Sequence, residues 1–83
     1  MQIYIDAFDS HVAAFDAGCD MCKDVENGDP EITSTVVKAM ILRIKATEKE
    51  HGGNFCLRQL VMRLSGLHNT LKQFEGATQI EDK

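Results

Sequence analysis

Two thiols three residues apart, Cys19 and Cys22, form a Cys-x-x-Cys, and with His51 and Cys56 they make a set of three thiolates and one imidazole that could hold tetrahedral zinc. The elements that must carry these residues argue against it. Cys19 and Cys22 fall near the end of a first helical stretch, whereas His51 and Cys56 flank a later glycine link. Antiparallel helices would put the two groups at opposite poles, on the order of 25 Å apart by helical rise. On apolar seam positions a thiol behaves as a small hydrophobe, so core cysteines are expected and no metal. No βαβ pattern surrounds the pair to suggest a redox motif.

Glu48-Lys49-Glu50-His51 contains the Glu-x-x-His spacing that puts both side chains on one helical face in di-iron carboxylate bundles. Here it lies in a last turn before Gly52-Gly53, among charged neighbours, and reads as a solvated helix end with His51 near the negative pole of the dipole. His11 and His68 each border an apolar stripe with no serine or cysteine at a recognisable spacing and no third residue to orient them. Gly52-Gly53 is followed by neither lysine nor the spacing of a phosphate loop. The chain is expected to be no enzyme and to need no cofactor.

The elements themselves are clearer. Leu57, Leu60, Leu64, Leu67, Leu71 and Phe74 alternate spacings of three and four, an apolar helical seam. Ile5, Phe8, Val12, Phe15, Cys19 and Cys22 repeat that spacing in the first third, with aspartates between them. Val36, Val37, Met40, Ile41 and Ile44 give a third apolar face. Asn27-Gly28 reads as a stop, Asp29-Pro30-Glu31 as a cap and start, Gly52-Gly53 as a second break, and Asn54 as the cap of the last helix. The expectation is an all-α, up-down-up three-helix bundle with helices over about 2–26, 30–51 and 54–75, forming one domain over 1–76. Gly76 ends the pattern, and 77–83 reads as a frayed tail. These heptads, caps and glycine links are generic and carry no family signature.

At 83 residues the chain buries only about 60–65% of the surface that it would expose unfolded. A homodimer or helix-exchanged form is therefore a reasonable expectation. Three cysteines, an odd number, and an amino terminus without basic residues read as a reduced, cytoplasmic protein rather than a disulfide scaffold or a secreted one. The longest unbroken apolar runs are far short of a membrane span.

The net charge is −4, unevenly spread. Residues 1–31 hold eight acids against Lys23, whereas residues 32–75 hold seven bases against Glu48, Glu50 and Glu75. The simplest reading is mutual neutralisation within the fold. The other is an acidic face, Asp6, Asp9, Asp16, Asp20 and Asp24, offered to a basic partner or imitating nucleic-acid phosphates. Direct nucleic-acid binding is disfavoured by the acidic total and the length of the helices.

With the seams turned inward, Leu42, Phe55 and Met62 fall on the outside, as do Ile3, Tyr4 and Met21 on the first helix. Phe55 and Met62 lie seven apart on one face, and methionine suits adaptable binding surfaces. The functional expectation is a small acidic protein-interaction module, a regulator or inhibitor of the kind that viral accessory proteins exemplify. It would bind another protein through Phe55, Met62 and the aspartates. A metal-binding or ferritin-like module and a structural subunit of a homo-oligomer are the rival classes.

Overall fold

The computed structural model describes residues 6–81, with side chains through Glu75. It is an all-α three-helix bundle: α1 His11–Glu26, α2 Ser34–His51 and α3 Phe55–Glu81, each packed against the other two. The core is one cluster to which every helix contributes, with Ala14 and Cys22 from α1, Val37, Ile41 and Ile44 from α2, and Leu57, Leu60 and Leu64 from α3. No helix among the described residues is long and apolar enough to cross a membrane.

The first helix starts later than the apolar spacing suggests. Ser10 is extended, and its hydroxyl accepts from the Ala13 amide at 3.1 Å. This cap fixes the start at His11. Phe8 therefore lies outside the helix, and its amide donates to Thr47 Oγ1 at 2.8 Å. Ile5, Ile3 and Tyr4 lie outside the described residues. Asn27-Gly28 does close α1: Gly28 has φ +81° and donates to the Val25 carbonyl at 3.0 Å.

The second start is also displaced. Thr33, not Asp29, caps α2, taking the Val36 amide on its hydroxyl. Asp29 closes a local turn instead, its Oδ1 accepting from the Glu31 amide at 2.9 Å, so Pro30 is not the first helical residue. Gly52, at φ +104°, ends α2 and donates to Glu48 O at 2.8 Å. Asn54 caps α3 as expected, accepting from the Leu57 amide at 3.1 Å. The helical backbone of α3 does not stop at Gly76 but continues to Glu81.

The largest revision concerns the face that α1 turns inward. Its buried residues are Ala14, Gly18 and Cys22, a small-residue stripe of spacing four. Val12 is 69% exposed and Phe15 is also exposed. A Cβ on Gly18 would overlap Leu60 Cδ2 and lie 3.2 Å from Ile44 Cδ1, so the glycine lets α1 approach both partners closely. Met21, expected outside, packs half-buried against the core, and Phe74, expected in the seam, is 68% exposed.

Candidate functional site

Because α1 rotates its large side chains out of the core, they meet α3 at the surface. Phe15, Cys19, Phe55, Cys56, Gln59, Leu60 and Arg63 line a groove of about 430 Å³ between the two helices. A second recess of about 220 Å³, over His11, Val12, Phe15, Asn54 and Cys56, continues it. Phe15 and Cys56 border both, so the two form one apolar trough. Phe55, 72% exposed, stands on one wall and Val12 on the other. The exposed Asp16 and Asp20 follow Phe15 and Cys19 by one residue each on α1, while the charged side chain that lines the groove itself is Arg63.

The five aspartates of the expected acidic face do not share one helix face. Asp16, Asp20 and Asp24 are exposed on α1 at spacing four, while Asp6 and Asp9 belong to the segment before it. Asp6 engages through its backbone, its carbonyl accepting from Arg43 Nε at 3.0 Å. Met62 is exposed, as expected, but lies outside the residues that line the groove. Leu42 is exposed on α2.

One ion pair does join α1 to a basic helix, through Glu26 and Arg63, but the α1 aspartates take no part in it. Among the described residues the ion pairs are Arg63–Glu26 at 2.7 Å and Arg58–Glu48 at 3.4 Å, and neither uses an α1 aspartate. Like charges at i and i+4 on a helix repel, so Asp16, Asp20 and Asp24 repel one another, with Lys23 the one lysine on the same helix.

The residues considered for chemistry are occupied with structural contacts. His11 Nε2 donates to the Gly52 carbonyl at 2.8 Å and His51 Nε2 to the Phe8 carbonyl at 3.1 Å, with the rings edge to face and 6.1 Å apart. Glu48 is not merely solvated: its half-buried Oε2 accepts from the Asn54 amide at 3.0 Å as well as pairing with Arg58. Cys22 is fully buried, and burial pushes its thiol up against the opposing pull of the Arg63 guanidinium. The expected separation of Cys19 from Cys56 fails, because α1 starts only at His11, which puts Cys19 in mid-helix, and both thiols border the same groove. Even so, no three metal-ligating side chains gather among the described residues.

The groove was hidden in the sequence by the assignment of Val12 and Phe15 to the core. The signal that could have found it is Ala14-x-x-x-Gly18-x-x-x-Cys22, a small-residue seam that competes with the large-residue seam about a quarter of a turn away around the helix. No family model, curated protein or solved structure matches the chain.

Proposed function

We propose that the chain is a non-catalytic protein-interaction module, a regulator or inhibitor that works by occupying a surface on another protein. The observation that carries this reading is the trough between α1 and α3, where Val12, Phe15, Phe55 and Cys56 leave apolar side chains exposed, with Arg63 in its lining and Asp16 and Asp20 exposed elsewhere on α1. An apolar centre with a charged rim is the anatomy of a docking surface, in which the centre supplies affinity and the rim steering. The fitting surface is an apolar ridge flanked by lysine or arginine. Helix-in-groove recognition supplies that shape, since two turns of an amphipathic helix match the span from Val12 to Cys19.

The test is capture from the source cell by immobilised protein, comparing the wild type with Phe55→Lys and with the double variant Asp16→Lys, Asp20→Lys. Both sites are exposed, so helicity by circular dichroism should be unchanged. A protein retained by the wild type and lost by both variants supports the proposal. Equal retention by all three would sink it.

A further inference from the structure

Asn27-Gly28, which closes α1, is also a pair of reactants. An asparagine side-chain carbonyl and the amide nitrogen of the next residue can close a five-membered ring, and a glycine in the second position puts no Cβ in the way. Where a Cβ on Gly28 would stand there is open space, and Asn27 is exposed, so water reaches both. The other two asparagines are placed differently. Asn54 precedes the bulky Phe55, and its Oδ1 already accepts from the Leu57 amide; Asn69 precedes the β-branched Thr70 inside α3.

The folded link holds these reactants apart. Asn27 has ψ −3°, so the Gly28 nitrogen eclipses the Asn27 nitrogen and stands about a third of a turn away from Cβ, with which the ring must align it. The nucleophile is also engaged. The Gly28 amide donates to the Val25 carbonyl at 3.0 Å, between the Asn27 amide on Lys23 at 2.9 Å and the Asp29 amide on Asp24 at 3.0 Å. Ring closure therefore requires the cap to open. We propose that Asn27 is a self-modification site gated by the α1 cap, which reacts when the link between α1 and α2 opens. The Gly28 nitrogen then gives up its proton and bonds to Asn27 Cγ, the bond from Cγ to the side-chain nitrogen breaks, and ammonia leaves with the proton. Water opens the resulting cyclic imide at either carbonyl, giving aspartate or isoaspartate. Each product adds a carboxylate at the negative pole of the α1 dipole, close in sequence to Asp24, Glu26 and Asp29, where dipole and like charge both oppose it. Conversion thus loosens the cap that delayed it, and the loss of ammonia makes it one-way.

The site lies at the opposite end of α1 from Val12 and Phe15 and stands independently of the trough. The experiment holds the full chain in warm neutral buffer, folded or unfolded in urea, and follows conversion at each asparagine by peptide mapping and mass spectrometry. In urea, Asn27 should convert well before Asn54 and Asn69. In the folded chain its rate should fall at least about tenfold, which corresponds to an opening free energy of about 1.4 kcal/mol or more. Asn27→Asp carries the charge of the product at an exposed position. It should keep the helicity of the wild type and melt at a lower temperature. Equal rates at Asn27 with and without urea would show that the cap gates nothing. Conversion in urea no faster at Asn27 than at Asn54 would remove the site, and an Asn27→Asp variant that melts at or above the wild type would remove the loosening. Any one of these three results overturns the proposal.

Discussion

The Glu75 carboxylate closes one pole of the bundle by accepting two hydrogen bonds from a single residue. Ser34 Oγ donates to Oε1 at 2.6 Å and the Ser34 amide to Oε2 at 3.0 Å. Ser34 is the first residue of α2, so Glu75 satisfies one of the orphan amides there and places negative charge at the positive end of the helix dipole. The Ser34 hydroxyl, then its amide, hold the carboxyl below its ordinary value, with His68 and Lys72 adding to the effect and burial opposing it. A carboxyl whose value is lowered by folding stabilises the native state above the ordinary carboxylate range. That contribution fades as pH falls through the lowered value. Glu75→Gln should therefore lower the thermal midpoint at neutral pH and make no difference in strong acid, where the wild-type carboxyl is protonated too. Thermal scans of both proteins across that range provide the check, and a gap that persists undiminished in acid would mean that the contact works by packing rather than charge. No sequence pattern announces this pair, since a serine and a glutamate 41 positions apart are joined only by the fold.

At the scale of elements, two helical glycines should respond to alanine with opposite signs. Gly66 has open space around an added Cβ, so Gly66→Ala should raise stability by about 0.5–1 kcal/mol through helix propensity alone. Gly18 would gain the same propensity term, but its Cβ would collide with Leu60 Cδ2 inside a packed core, and overpacking costs about 1–3 kcal/mol. Gly18→Ala should come out net destabilising in urea unfolding. A stabilising outcome would mean that α1 sits further from Leu60 than its close approach implies. The same contrast explains what the sequence showed. The seams of α2 and α3 are legible in Val37, Ile41 and Ile44 and in Leu57, Leu60 and Leu64, because there the aliphatic side chains that recur at spacings of three and four are also the buried ones. Those long apolar stripes and the short glycine links define the bundle. In α1 the relation inverts: small residues let the backbone come close, and Phe15 and Val12 are left to form the trough. A spacing argument weighted by hydrophobicity selects the larger residues, and so it located α1 but not its inward face, and missed the surface on which function is proposed.

Across the whole molecule, the segment before α1 acts as a strap over the carboxyl end of α2. Thr47 Oγ1 accepts from the Phe8 amide and donates to the Arg43 carbonyl at 2.9 Å, while the Arg43 guanidinium lies 4.0 Å from the Phe8 ring centroid. His51 and His11 fasten the same crossing through the Phe8 and Gly52 carbonyls. Thr47 is fully buried, so its hydroxyl is the interior anchor of this contact. Thr47→Val keeps the volume and removes the hydroxyl, leaving the Phe8 amide without an acceptor, at a cost of about 1–3 kcal/mol. Thr47→Ser keeps both hydrogen bonds and loses one buried methyl, a cost of about 1 kcal/mol. If the strap belongs to the cooperative fold, urea unfolding should rank valine below serine, with slopes like that of the wild type. Amide exchange at Phe8 should accelerate in the valine variant alone. Serine falling below valine would show that packing, not the hydroxyl, holds this pole. The order matters for the trough, because the strap fixes His11 and the start of α1, and with them the end where Val12 and Phe15 meet Cys56.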